Sequence, residues 1–230
     1  MIDDDSDTTA SNLAPIASFP SAPAAGRDEA TSKGPRGPYK KSAQTRAAIL
    51  AAATDVFAEK GYHASSMREI ARRCDIDQST VTHHFPNKSA LLLSLMQERD
   101  AQGDEVIAAA HPDSLDQIPR AVIALAEHNA RTPEIIALYT LLAAESATPD
   151  HPLEEFFKAR TARVREGFQG WFADLEEAGR LRSDVTPEFA ATAFLALWEG
   201  VQLHWLIDRD YVDVVATLEG FLRVIMRDAD

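Results

Sequence analysis

Residues 66 to 88 read SMREIARRCDIDQSTVTHHFPNK, and the two halves of this stretch carry different punctuation. Ser66 and Glu69 have the spacing of a capping box, which predicts a short helix from Ser66 to about Cys74. Asp77 is a good helix cap and Pro86 a stop, which predicts a second short helix from Asp77 to about Phe85. Asp75 and Ile76 form the turn between them. Met67, Ile70, Ala71, Ile76 and Val81 can close a small core over Val56 and Phe57, so the face left over on the second helix is polar: Gln78, Ser79, Thr80, Thr82 and His83. Two short helices about a tight turn make a helix-turn-helix. Side chains of that length and type reach base edges and phosphates when such a helix lies in a major groove.

Outward from this unit every segment reads helical. A first helix is predicted from about Ser42 to Glu59, with Ile49, Leu50, Ala53, Val56 and Phe57 in one stripe and Gly61 as its stop. Asn87 opens a long helix carrying Ala90, Leu91, Leu92, Leu95 and Met96 and reaching about Ala109. Further helices are expected at about 114–131, 133–147, 153–178, 187–207 and 211–227. Pro133, Pro152 and Pro187 are each placed at a first helical position, and Gly179 at a stop. The expected fold is all-α with about nine helices. Its parts are a flexible N-terminal tail at 1–41, a three-helix unit at 42–88 and a helical body at 89–230.

Charge is distributed unevenly along the 230 residues, whose formal net charge is −13. Residues 1–32 carry one Arg against six acids, residues 33–100 eleven Lys and Arg against seven, and residues 101–230 eleven against twenty-three. A basic segment therefore precedes an acidic body, and a polyanion is drawn to one end only. The basic run KGPRGPYKK, from Lys33 to Lys41, is the type of arm that touches a nucleic-acid backbone or minor groove; as a bland alternative it is a solvated linker. The lone Cys74 excludes a disulfide framework and a thiolate zinc site. The acidic start MIDDDSD is unlike a signal peptide and no apolar run approaches a membrane span, so a cytoplasmic protein without a membrane partner is expected.

Around the polar helix stand Lys40, Lys41 and Arg46 at the first helix, Ser65 and Ser66 at the second and Lys88 at the fourth. Together with Gln78, Ser79, Thr80, Thr82 and His83 they form the candidate DNA-binding set, with helix-start N–H groups and cations facing phosphates. Taken singly, Ser66 is a cap and Lys88 a solvated lysine; their joint placement favours DNA.

The stretch from Thr45 to Met96, with IL-AA---F---GY in its first helix, IA at 70 and 71 and HF--K--LL from 84 to 92, resembles the DNA-binding domain of the TetR/AcrR family of bacterial regulators. The resemblance covers about fifty residues. It implies a two-fold dimer reading a palindromic operator on double-stranded DNA, with a small-molecule effector bound in the C-terminal body. Asp75 stands where the family often has glycine, Asp77 where it often has serine, and Thr82 where a tyrosine commonly touches phosphate. Two aspartates near the groove repel phosphate, which implies modest affinity or a sequence-selective role such as accepting from cytosine.

In the acidic half, Phe194, Leu197, Trp198, Val201 and Trp205 on one helix and Leu218, Phe221, Leu222 and Ile225 on the next form the largest apolar faces, and a homodimer seam is their expected use. The bland alternative is closure of the monomer core. Polar residues on otherwise apolar stripes, Asn129, Glu145 and Arg160, together with Tyr139, Phe168, Trp171 and Gln202, are the candidate effector contacts. A structural Glu145–Arg160 ion pair competes with that reading. No catalytic motif is present, and neither the adjacent His83 and His84 nor His204 with Asp208 makes a metal site, so no enzyme, metal or cofactor is expected. The expectation is a DNA-binding transcriptional regulator, a repressor released by its effector; the alternative is a helical-bundle carrier or enzyme without DNA binding.

Overall fold

Gly61 is where the chain first changes direction. The computed structural model describes residues 37–110, 115 and 117–227, and its first helical stretch, α1 (Gly37–Ala64), is interrupted at Gly61 (φ 74°, ψ 168°). A left-handed backbone there suits glycine, and it ends the long part of α1 where the sequence placed its stop. At the other end α1 begins earlier than predicted: residues 37–41 are helical rather than tail. Pro38 falls in the first turn, where a missing N–H has no helical partner to lose. Residues 1–36, with the rest of the expected tail and most of the basic arm, lie outside the described residues.

The short helices follow the expected order. In α2 (Met67–Arg73) the Ser66 hydroxyl accepts from the Glu69 N–H at 3.3 Å. The Glu69 carboxylate does not return the bond to Ser66; it pairs with Lys60 of α1 instead. The turn places Asp75 at φ 53°, the left-handed region that favours glycine. Helix α3 (Gln78–His84) starts after Asp77, which occupies the cap position without a side-chain capping bond, contrary to the role expected of it. Helix α4 (Lys88–Ala109) is capped by Asn87, whose side chain accepts from the Ala90 N–H at 2.8 Å.

Five helices complete the body: α5 (Ile118–Ala130), α6 (Pro133–Glu145), α7 (Glu154–Glu177), α8 (Pro187–Ile207) and α9 (Val214–Ile225). Pro133 and Pro187 open their helices as predicted, but Pro152 lies before α7, in a turn where His151 Nδ1 accepts from the Leu153 N–H at 3.2 Å. Helix α9 starts later than expected because Asp213 caps it, accepting from the Ala216 N–H at 2.9 Å. Gly179 (φ 69°) ends α7. The chain then pairs Leu181 with Met226 in an isolated antiparallel bridge, which ties the end of α7 to the end of α9.

Two apolar cores result. One joins Phe57, Ile70, Val81, Phe85, Leu91 and Leu92 of the first four helices to Leu142 of α6 and Phe157 of α7. The other gathers Ile118, Trp171, Phe172, Phe194 and Leu218 from α5, α7, α8 and α9. This second core takes six of the nine residues of the expected dimer seam into the single chain. Phe194, Trp198, Val201, Leu218, Leu222 and Ile225 are buried within the single chain, and Leu197, Trp205 and Phe221 are partly buried against the same cluster. Helix α8 is apolar around most of its circumference, so its largest side chains go to the nearest core. A closed apolar side chain of that size contributes about 1.5–3 kcal/mol when buried.

Candidate functional site

Val81 and Phe85 decide which way α3 faces. Both are closed from solvent, and the Phe85 N–H donates to the Val81 carbonyl at 2.8 Å, so the opposite side of the helix must look outward. Gln78, Ser79, Thr82 and His83 are exposed there and Thr80 is half-buried. The Thr82 hydroxyl donates to the Gln78 carbonyl at 2.9 Å, which leaves only its lone pairs for a partner. Phosphate oxygens accept, so this rotamer cannot make the phosphate contact considered for Thr82.

The flanking residues divide. Lys40 and Lys41 are exposed, and the half-buried Arg46 guanidinium lies over the Phe85 ring at 4.6 Å, holding a positive charge at the end of α3. Ser65 does not face outward: it is 6% exposed, and its hydroxyl donates to the Tyr62 carbonyl at 2.6 Å. Lys88 is also turned inward. Its ammonium donates to the carbonyls of Tyr62 at 2.6 Å and Ser65 at 2.9 Å, and sits 4.3 Å from the Tyr62 ring centre. The carbonyls left over where α1 ends attract this cation, and burial lowers its pKa. Sequence reasoning passed over Arg68 and Arg72, exposed and one turn apart on α2. Their i, i+4 spacing was the available signal. The neighbouring Arg73 is instead held by Glu59 through two bonds of 2.7 and 2.6 Å.

In the body, α4, α5, α6, α7 and α8 line a cavity of about 80 Å³. Asn129, Tyr139, Arg160, Phe168 and Trp171 of the expected effector set line it; Glu145 and Gln202 do not. The Gln202 amide donates to the Trp198 carbonyl of its own helix at 3.3 Å. Glu145 lies 3.9 Å from His151, and the expected Glu145–Arg160 pair is absent. Arg160 donates through Nε to both oxygens of Asp100, at 2.9 and 3.0 Å, and through Nη1 to the Tyr139 hydroxyl at 2.6 Å.

Asp100 is also the partner of Arg99 at 3.1 Å and of Arg163 at 3.2 Å, so one carboxylate serves three guanidinium groups. Arg99 and Arg160 flank the Tyr139 ring at 4.2 and 4.8 Å. Burial, together with the charge of Arg160, pushes the Arg99 pKa down, and burial pushes the carboxyls of Asp104 and Glu199 up. Arg99, Asp100, Asp104 and Arg163 were not among the sequence candidates. Lining the wall beside them is Gly103, where an added Cβ would meet Leu125 at 3.4 Å, so α4 and α5 approach closely.

The outer faces of α8 and α9 expose large apolar side chains among polar ones. Phe189, Leu203 and Ile207 are 63%, 45% and 75% exposed, and Val224 on α9 is 63% exposed. Between the large residues α8 presents Ala193, Ala196 and Gly200 at spacings of three and four.

Residues 49–95 match the family described as bacterial regulatory proteins, tetR family, and residues 113–207 match the AefR-like transcriptional repressor C-terminal domain. The chain belongs to the TetR family. It is a DNA-binding transcriptional regulator with that family's helix-turn-helix head and helical body. Among curated relatives of this TetR-family chain, the transcriptional repressor BepR of Brucella suis is 26% identical over 181 residues, covering 76% of the chain and 87% of BepR. The transcriptional regulator UidR of Escherichia coli is 27% identical over 161 residues, covering 68% and 79%. Among solved structures, NalD, the secondary repressor of the MexAB-OprM multidrug efflux pump in Pseudomonas aeruginosa, superposes with a TM-score of 0.68 at 26% identity, covering 83% of the chain and all of NalD. The SmeT–triclosan complex gives a TM-score of 0.70 at 19% identity, covering 81% and 93%, and shows the shared fold alone.

Proposed function

We propose that this TetR-family regulator is a repressor that binds a palindromic operator as a two-fold dimer and leaves it when a small molecule enters the body cavity. One observation carries the mechanism: the cavity wall and the head share a helix. Asp100 and Arg99 lie on α4, and the first residue of that helix, Lys88, is bonded to the carbonyls that end α1. Ligand that favours a different tilt of α4 changes the spacing of the two heads, and both no longer fit adjacent major-groove half-sites. BepR and NalD are repressors by description, which supports repression here.

The division of labour is residues 42–88 for DNA and 89–230 for effector and dimer. Gln78, Ser79, Thr80 and His83 read bases, with Thr82 accepting from a base amine, while Lys40, Lys41, Arg46, Ser66, Arg68 and Arg72 meet the phosphate backbone. Phe189, Leu203, Ile207 and Val224 form the dimer seam in place of the residues chosen from sequence, because they are the large apolar side chains that α8 and α9 leave outside. Among the described residues no group of three metal-ligating side chains occurs, and no helix is long and apolar enough to cross a membrane.

The test is a gel-shift titration on the DNA upstream of the chain's own gene. One inverted repeat should be bound with an affinity that falls steeply with salt. Gln78→Ala and His83→Ala should each weaken it by about 1–3 kcal/mol without changing the fold, and Leu203→Glu should give monomers with weakened operator binding. A ligand carrier would bind no duplex in this way, and its ligand would leave any residual DNA affinity unaltered.

A further inference from the structure

We infer that the occupant of the body cavity is an organic anion with an apolar body, its carboxylate seated against Arg99 and Arg163 and its body among Phe168, Trp171 and Trp198. The inference rests on the proposed role of the cavity as the effector site and adds the chemistry of the effector. Its first ground is charge. Three guanidinium groups, on α4 and α7, converge on the single carboxylate of Asp100 within 3.2 Å. Buried cations are stable only when paired, and two of the three share a counter-ion already engaged twice. Asp104 and Glu199 also feel the charge of these arginines, but neither is hydrogen-bonded to them, and burial raises the pKa of both carboxyls.

The second ground is the sign of the unsatisfied groups. Along the cavity lining the buried polar atoms without a hydrogen-bond partner are Arg99 Nε, Arg163 Nε, Asn129 Nδ2 and Trp171 Nε1. Every one is a donor. A ligand that completes them must bring acceptors, and a carboxylate brings about four lone-pair sites in a geometry that guanidinium groups match. Asn129 and Trp171 are 6% and 1% exposed, so bulk water is a poor substitute. The third ground is shape. Beside the arginines and acids the lining holds Ile118, Val122, Leu125, Phe168, Trp171 and Trp198, a largely apolar and aromatic set. At about 80 Å³ the cavity is smaller than the roughly 150 Å³ that holds a benzene ring elsewhere. A ring-bearing ligand therefore has to press the cavity walls apart.

Three probes with one body and different heads test this: 4-phenylbutyrate, 4-phenyl-1-butanol and 4-phenylbutylamine, titrated calorimetrically into the full chain near neutral pH. The carboxylate should bind about tenfold or more tightly than the alcohol, with the amine weakest, as charge-assisted pairing to arginine requires. Its binding should alter the tryptophan emission of Trp171 and Trp198. In Arg163→Gln the carboxylate should fall to within about threefold of the alcohol while the alcohol keeps its affinity; Arg163→Lys, which retains the charge, should restore part of the preference. Alcohol or amine binding as well as the carboxylate overturns the anionic assignment. If either still perturbs the tryptophans, the cavity keeps its proposed role. Absence of binding by all three overturns the assignment and that role together. A carboxylate preference that survives both Arg163→Gln and Arg99→Gln overturns it as well.

Discussion

Lys88 in the head and the arginines around Asp100 in the body are both cations drawn out of water, and their surroundings differ in kind. The ammonium of Lys88 meets fixed backbone carbonyls and an aromatic face, and among the described residues no other cation is bonded to them. The three guanidinium groups compete for one carboxylate and leave Nε donors unmet. The first arrangement is complete as it stands and ties helices together. The second is left open toward a cavity. Completion marks a structural cation, and an unmet donor set beside a cavity marks a binding one.

The contrast breaks most visibly at Asp100. Asp100→Ala leaves three guanidinium groups without the carboxylate they are bonded to, and a loss of about 3–5 kcal/mol is expected in urea unfolding at neutral pH. Lys88→Ala comes next, with about 2–3 kcal/mol lost, because the Tyr62 and Ser65 carbonyls are left unmet in a partly closed site. If Lys88 acted mainly on DNA, this variant would unfold normally and lose operator affinity alone. Arg163→Gln should change stability by only about 1 kcal/mol or less, since Asp100 keeps Arg99 and Arg160. The smallest effect belongs to Asp104. Burial raises its folded-state pKa above the unfolded value, so the folded chain holds the proton more tightly. Stability then falls as pH rises from the ordinary aspartate range through the raised value. Asp104→Asn should melt higher than the parent at neutral pH, and the advantage should vanish in acid.

The head was legible because its signals are local. Ser66, the Asp75–Ile76 turn, Gly61 and Asn87 mark ends, and Val81 and Phe85 fix an inner face by periodicity alone. Whether a cation points to water or to a neighbouring helix end is not local, and Lys88 and Ser65 were misplaced for that reason. The cavity suffered more. Within QERDAQGDE on α4, Arg99, Asp100 and Asp104 look like a solvated face, and only the packing of α4 against α5 and α7 turns them inward. Arg160 then finds Asp100, sixty positions away, rather than Glu145. On α8 the difficulty had another origin: a helix apolar on most sides gives no preferred face. The proposed seam rests instead on size, small residues at 193, 196 and 200 between Phe189 and Leu203, where a second backbone can come near.

The bonding of Lys88 has a geometric corollary. The end of α1 is fastened to the beginning of α4, and Asp100 lies roughly three helical turns along the same rod. Swivelling that rod carries the reading surface as a stiff casting, with its side chains undisturbed. In the proposed mechanism each half of the operator is therefore read identically in either state. A lone half-site is then blind to the small molecule, and sensitivity exists only in the distance between two.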